Sequence, residues 1–328
     1  MSNSKTIKTG VIGAGYLGEF HIQQLQTISD IEFVGFVESN PDRASAIGEK
    51  YNAQLYKKQS NLIELCDAII IATPTATHHA IANDALNKGC HVFIEKPITT
   101  TINEANELIK ISEKNNLIIQ VGHIERFNPA FLLLKEKNIN PQFVEVHRLA
   151  SFKSRGHDIS VVLDLMIHDI DIISNIIQAP IQDIQANGVK VITDEIDIAN
   201  ARITFDNGCI ANLTSSRISL KEMRKMRIFQ EKSYMNIDFL NKSLEEYSLT
   251  DNQDNTDVNS QLFPYDDSNN QFIMYKKNDS IPTNALQEEL KHFISCIQQS
   301  TTPTINGNVA TEALNIALII QKKINEDK

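Results

Sequence analysis

The chain reads as an α/β protein of two domains: a doubly wound parallel sheet over residues 1–122, then an α+β domain with a mostly antiparallel, open sheet over residues 123–328. Three observations predict this. The 328 residues amount to about two domains at roughly 150 residues each. Up to residue 122, short β-branched runs alternate with helical stretches. Beyond residue 127 that alternation gives way to a helix, strands joined by turn signals, and two closing helices.

The runs at 7–12, 31–37, 68–72, 91–94 and 117–121 are almost continuously apolar, as strands buried on both faces are. Their helical connections imply right-handed crossovers in one parallel sheet. Asn128-Pro129 opens a helix to about residue 137, with Asn as cap and Pro at a tolerated first position. A strand follows at 143–149, then a long apolar helix over 158–177. Residues 184–249 are strand-like, and Asn207-Gly208 between ARITF and CIANL is a hairpin signal. The Asn- and Asp-rich stretch 250–270 reads as a loop or insertion. Helices over 284–299 and 309–325 close the chain, and no internal repeat is present.

Composition narrows the function. Hydrophobic residues make up 41% and charged residues 22%, which argues against a disordered or fibrous chain. Lys+Arg 31 against Asp+Glu 41 gives a net charge of −10, the wrong sign for a general nucleic-acid or anionic-membrane binder. No apolar run reaches the roughly 20 residues of a bilayer span. Cys66, Cys90, Cys209 and Cys296 are far apart in sequence and form no CxxC pair, which suits a reducing compartment without a zinc site or disulfide framework. The glycine turn is under way by Gly13, leaving no room for a secretion signal in the sequence as it stands. The expectation is a soluble cytoplasmic protein.

Gly13-Ala14-Gly15-Tyr16-Leu17-Gly18 matches GxGxxG, and here it follows a strand and opens a helix, the context that makes the pattern informative. Gly13 permits the tight turn, Gly15 lets backbone amides approach a pyrophosphate, and Gly18 allows close helix–strand packing. The helix N-terminus supplies N–H groups and partial positive charge. This is the Rossmann signature; the alternative is a structural glycine turn with no ligand. Glu38, at the end of the second strand and twenty residues past Gly18, suits ribose hydroxyls and repels a 2′-phosphate, favouring NAD over NADP. Arg43 is the counterweight, since a rearranged loop would turn it towards a phosphate. Thr73, Pro74, Thr75 and His78, and then Glu95-Lys96-Pro97, lie at C-terminal strand ends, where such sheets bind ligands. His78 reads equally well as a structural residue, and His79 and His91 as surface or packing residues.

The helix DISVVLDLMIHDIDIISNII is apolar almost all round and therefore buried, yet Asp164 and His168 share one of its faces. Burying them unpaired would cost several kcal/mol. Three uses fit: a structural pair, a metal site with Asp171, or a proton-transferring pair in which the carboxylate orients the imidazole. No cysteine or second histidine cluster completes a metal set, so no metal is expected.

GVIGAGYLG, IATPTATHH, FIEKP and the pair Asp164/His168 together resemble the glucose–fructose oxidoreductase/inositol dehydrogenase superfamily of nicotinamide-dependent sugar dehydrogenases, over the whole chain. VGHIERFNPA, VVLDLMIHDIDI, NGCIANLTSSRIS and MRKMRIFQ resemble a narrower group, the UDP-N-acetylglucosamine 3-dehydrogenases. The resemblance implies oxidation of a sugar 3-hydroxyl to a ketone for a pyridoxal-phosphate aminotransferase, on the way to amino sugars of lipid A. By position it implies Lys96, Asp164 and His168 as the active-site lysine, aspartate and histidine, with a cis peptide at Lys96-Pro97. His168 then serves as base with Lys96 holding the hydroxyl, or the two roles are reversed. Ser160-Val161-Val162-Leu163 departs from the glycines many superfamily members carry before the aspartate.

His123, Arg126 and Asn128, just past the last Rossmann strand, and Arg155, before the long helix, are candidate substrate-binding residues alongside His168. An ion pair between Glu125 and Arg126 and their neighbours is the alternative for that cluster. Arg148 and Lys153 are further candidates for a phosphate. Arg217, Lys221, Arg224, Lys225 and Arg227 read either as a solvated strand face or as a diphosphate site. Rival functions are the same chemistry on another sugar, an inositol or a UDP-uronic acid, and a non-catalytic NAD-sensing regulator on the same fold. An open sheet implies a homodimer or homotetramer.

Overall fold

A computed structural model describes residues 6–152, 159–251, 260–266, 271–280 and 283–326. It divides into two compact units.

In the first unit, β1 (Ile7–Ile12), α1 (Tyr16–Leu25), β2 (Ile31–Val37), α2 (Pro41–Tyr51), α3 (Gln59–Ile63), β3 (Ala68–Ile71), α4 (His78–Asn87), β4 (His91–Glu95), α5 (Ile102–Asn115) and β5 (Ile119–Gly122) follow in order. The strands form one parallel sheet ordered β2-β1-β3-β4-β5. Ala68, Ile69, Ile70 and Ile71 are all fully buried, the continuous apolar run expected of a strand covered on both faces. α5 starts on a capping box, Thr101 with Glu104.

The second unit carries α6 (Pro129–Lys135), β6 (Phe143–Leu149), α7 (Ile167–Ile177), β7 (Ile181–Val189), β8 (Ile198–Phe205), β9 (Ile210–Ser216), β10 (Met223–Gln230), β11 (Ser233–Asp238), β12 (Ser243–Thr250), β13 (Ser260–Asp266) and β14 (Gln271–Asp279). The nine strands form one sheet ordered β13-β14-β12-β11-β10-β6-β9-β8-β7, in which only β6 and β9 pair in parallel. Asn128 accepts from Ala130 N at 3.0 Å with Pro129 in the first turn, as the dipeptide predicts. The hairpin between β8 and β9 turns at Gly208, whose φ of 84° lies in the left-handed region.

Three expectations need correction. The stretch 250–270 is not all loop: Ser260–Asp266 pairs with β14. It is the sheet's edge, where Pro264 costs no ladder bond on the outer side. The long helix does not run regularly through residue 166; Val162–Met166 is a π-helical turn, and regular helix begins at Ile167. The division of the chain is also not a single cut. The first unit runs to Ile124 and takes back Asn284–Leu314, while Glu125–Thr283 and the residues from Asn315 make up the second. α8 (Ala285–Gln299) explains the return, because its buried Leu290, Phe293 and Ile294 complete the core of the parallel sheet, with Phe293 edge-on to Phe93 at 5.8 Å. α9 (Gly307–Glu326) passes from the first unit into the second. No helix among the described residues is long and apolar enough to cross a membrane.

Candidate active site

At the end of β1 the chain turns at Gly13, φ 90°, where a Cβ would lie 2.8 Å from the Ala72 carbonyl oxygen. A Cβ on Gly18 would lie 1.8 Å from the Gly13 carbonyl oxygen, so α1 packs on the turn only because residue 18 has no side chain. Gly15 is different. A Cβ there would meet no atom within 4 Å, and its φ is an ordinary −60°. Packing does not demand this glycine; the space it leaves faces outward, at the start of α1, where no side chain caps the first turn. Bare helix N-terminal amides beside an open space fit a dinucleotide pyrophosphate. Tyr16 and Leu17 are exposed, with Tyr16 edge-on to Phe20. Glu38 Oε2 accepts from Ala14 N at 2.9 Å, which fixes the carboxylate against the glycine turn, and its Oε1 accepts from Asn40 N at 2.9 Å.

The next strand ends are tied to one another. His78 is buried with Nδ1 3.0 Å from the Pro97 carbonyl and Nε2 2.9 Å from the Thr73 carbonyl, so it joins the Thr73-Pro74-Thr75 segment to the Glu95-Lys96-Pro97 segment. Its ring nitrogens serve the protein's own backbone. The Thr77 hydroxyl closes the Thr73–Thr77 turn, donating to the Pro74 carbonyl at 2.8 Å and sharing a hydrogen bond with the Thr73 hydroxyl at 2.7 Å. His79 pairs with Glu107, and His91 Nδ1 accepts from Ile118 N, the surface and packing roles expected of them. Lys96 is half-buried directly after β4, and the Lys96-Pro97 peptide is cis, as the resemblance implies.

Beneath Lys96 lies a pair the sequence reading missed. Glu95 Oε1 is 2.7 Å from His21 Nε2, with the imidazole fully buried. Burial works to raise the Glu95 carboxyl, but the His21 hydrogen bond and charge, with Lys96 and His78, bring it below its ordinary value. Gly122 makes room for it: a Cβ there would sit 2.9 Å from Glu95 Oε2. A signal was present, because Gly18, His21, Ile22 and Leu25 form the buried stripe of α1 and a histidine on such a stripe needs a partner.

In the second unit Asp164 lies in the π-helical turn and His168 is the second residue of α7. Both are half-buried among neighbours, Val162, Met166, Ile167 and Ile170, that are fully buried. Ser160, in place of a glycine, is buried and its hydroxyl accepts from Val162 N at 3.2 Å, bracing the start of the turn. Single π turns inside helices recur at functional sites because the wide turn re-aims its side chains.

The two acids of α7, Asp169 and Asp171, are held by guanidinium groups. Arg126 makes a fork with Asp171 (2.6 and 3.0 Å), both in the interior. Arg148 makes a second fork with Asp169 (2.9 and 2.7 Å) and reaches Glu125 at 2.8 Å. Burial raises the Asp169 carboxyl, and Arg148 only partly offsets it. Burial also works on Glu125, yet Arg148, Arg224 and Asn128 together hold its carboxyl below the usual range. The alternative of ion pairing for Glu125, Arg126 and their neighbours takes this form: Glu125 pairs with Arg148 and Arg126 with Asp171 rather than with each other, and Arg126 is buried at 3% exposure. Asn128 is likewise used internally, donating to Glu125 Oε2 and the Phe239 carbonyl. His123 is buried, in the first unit. Arg155 and Lys153 lie outside the described residues.

In the basic stretch Lys221 is exposed between β9 and β10, and the other four cations face acids or carbonyls. Arg217 is buried against the Ile159 and Ile196 carbonyls, Arg224 lies 3.6 Å from Glu125, Lys225 pairs with Asp238, and Arg227 pairs with Glu145. Among the described residues no three His, Cys, Asp or Glu side chains are grouped to hold a metal ion.

Residues 7–123 match the oxidoreductase family with an NAD-binding Rossmann fold, and residues 141–235 match the GFO/IDH/MocA C-terminal domain. A UDP-N-acetylglucosamine 3-dehydrogenase from Acidithiobacillus ferrooxidans is 40% identical over 242 residues, 74% of this chain and 77% of that protein. A solved structure of that enzyme superposes with a TM-score of 0.87 at 33% identity, covering 98% of each chain. A myo-inositol 2-dehydrogenase from Thermotoga maritima is 25% identical over 98% of this chain and 97% of its own.

Proposed function

The chain belongs to the glucose–fructose oxidoreductase/inositol dehydrogenase (GFO/IDH/MocA) family of oxidoreductases acting on CH–OH groups, and on that premise we propose that it oxidises the 3-hydroxyl of UDP-N-acetylglucosamine to a ketone. The observation that carries this reading is the 40% identity to a dehydrogenase of that substrate; the sequence carries Lys96, Asp164 and His168, the residues proposed for the chemistry. The cofactor is of the NAD type. When bound, it supplies the hydride acceptor.

The residues divide the work as follows. Gly13, Gly15 and Gly18 and the amides opening α1 hold the pyrophosphate, with Ala14, Tyr16 and Leu17 completing the turn. Glu38 takes the adenosine ribose hydroxyls and disfavours a 2′-phosphate, so NAD is preferred over NADP. Thr73, Pro74 and Thr75 line the dinucleotide, and His78 and Glu95 fix the backbone and the charge beside Lys96. His168 removes the hydroxyl proton, a task that neutral imidazole performs near pH 7. Asp164 orients it, and Lys96 holds the substrate oxygen and stabilises its developing charge. His123 and Arg155 contribute to substrate binding; Arg126 and Asn128 act through the framework rather than by touching the sugar. The ketone is then the substrate for a pyridoxal-phosphate aminotransferase, in a route to amino sugars of a surface glycan such as lipid A.

The test is turnover of UDP-N-acetylglucosamine with NAD, coupled to an aminotransferase and glutamate to draw off the ketone. Reduced nicotinamide and a 3-amino product are expected. No turnover in that coupled assay, with an inositol or a free sugar oxidised instead, would overturn the substrate assignment. NAD binding without turnover of any of these would overturn catalysis.

A further inference from the structure

The residue at the centre of the glycine turn is flanked by opposite charges. Ala14 N donates to Glu38 Oε2 at 2.9 Å, and the Ala14 carbonyl accepts from Arg43 Nε at 2.5 Å. A guanidinium is therefore held at the same residue of the glycine turn as Glu38, near the region a 2′-phosphate would enter, and guanidinium is the group best shaped to bind one. It is not disposed to do so, because Arg43 Nη2 donates to Glu19 Oε2 at 3.0 Å. The second oxygen of Glu19 accepts from Lys50 Nζ at 2.8 Å and from the Tyr51 hydroxyl at 3.2 Å. Chiefly the Lys50 hydrogen bond holds the Glu19 carboxyl below its ordinary range, keeping it charged at neutral pH. One carboxylate on α1 thus occupies two cations of α2.

We propose that Glu19 is a second residue determining dinucleotide choice: by holding Arg43, with Lys50, it keeps from a 2′-phosphate the cation that stands ready for one. The proposal deepens the reading above and rests on Glu38 facing the adenosine ribose. Removing Glu38 lifts the direct repulsion but leaves Arg43 engaged. Removing Glu19 releases Arg43 but leaves Glu38 repelling the phosphate. Each change alone is masked by the other residue, so their effects on NADP binding are coupled rather than additive.

The experiment measures Kd for NAD and for NADP by calorimetry on the full chain, for the parent, E38S, E19Q and E38S/E19Q, with thermal midpoints confirming the fold. E19Q alone should move NADP affinity by no more than about threefold, in the range of an exposed ion pair. The double variant should bind NADP at least tenfold more tightly than the product of the single effects predicts. Adding R43M to the double variant should abolish that gain, and E19A replaces E19Q throughout if E19Q is poorly folded. A double variant whose NADP affinity equals the product of the single effects within twofold, or a gain that survives R43M, overturns the proposal while E38S still shifts selectivity. If E38S changes NAD and NADP affinity alike, the assignment of Glu38 itself is wrong and the proposal falls with it.

Discussion

Arg148 is the residue whose loss should cost most for its size. Its guanidinium carries three hydrogen bonds to two buried carboxylates, Asp169 at 2% and Glu125 at 5% side-chain exposure. Arg148→Met keeps the apolar stem and takes the guanidinium from both acids. Glu125 retains Asn128 and, at 3.6 Å, Arg224; Asp169 loses both bonds of its fork. Breaking a buried pair from one side costs about 3–5 kcal/mol, a large share of the roughly 5–15 kcal/mol that holds a domain folded. With a urea slope of about 3 kcal/mol/M, the midpoint should fall by about 1–2 M. The pH dependence gives a second readout. Asp169 already has a carboxyl raised by burial, and without Arg148 it rises further above its unfolded value. A raised acid makes the fold bind protons more strongly than the unfolded chain, so the variant should gain stability as pH falls from 8 to 5. Replacing the whole set, as R148M/D169L/E125Q, should recover most of the loss, since no buried charge is then left over. A midpoint for R148M within 0.2 M of the parent, flat with pH, would refute the argument that these charges brace α7.

Three further outcomes follow from the geometry. Gly15→Val should fold normally, since a Cβ there meets no protein atom within 4 Å, while NAD affinity falls at least tenfold; Gly18→Ala should instead lower the thermal midpoint, its Cβ falling 1.8 Å from the Gly13 carbonyl oxygen. His21→Ala removes the 2.7 Å partner of buried Glu95, costing about 1–3 kcal/mol, and should depress turnover more than NAD affinity if Glu95 steadies Lys96; equal loss in both would make the pair merely structural. Asp197 accepts from the amides of Val191, Ile192 and Thr193, which outweigh burial and set its carboxyl at about 2 against an ordinary 3.8. A depressed acid stabilises the fold above about pH 4 and loses that contribution as pH falls towards 2, so the gap in thermal midpoint between Asp197→Asn and the parent should be widest at pH 6 and narrow progressively from about pH 4 to pH 2.

The sequence made the strands of the first unit legible because each is buried on both faces and bounded by turns; 7–12 and 31–37 coincide with β1 and β2 to the residue. The glycine turn was legible for the same local reason. What escaped depends on partners far away in the chain. The stripe Leu290, Phe293, Ile294 says that a helix is amphipathic but not which core it completes. β13 was hidden by the Asn- and Asp-rich text around it, since an edge strand needs apolar residues on one side only. The π turn was unreadable because VVLDLMI is equally apolar in either helical register. His21 and Glu19 were missed because each acts through a residue more than twenty positions away.

The same distance effect bears on Arg126. In sequence it stands beside Glu125 at the end of the Rossmann repeat, an inviting place for a cation to meet a nucleotide sugar. Adjacent side chains in a helical turn point apart, however, and each of these two found a partner further on. For Arg126 to hold a diphosphate it would have to leave a two-point ion pair in the interior, at about 3–5 kcal/mol. No comparable cost attaches to α1, whose opening amides present positive potential without a cation to desolvate. An acidic chain can thus bind an anionic cofactor while its buried arginines serve the framework. Arg126→Lys preserves the charge and loses the fork, so it should lower the urea midpoint while leaving KM for UDP-N-acetylglucosamine within about twofold. A tenfold rise in KM at unchanged stability would return Arg126 to the substrate and leave Asp171 to be explained another way.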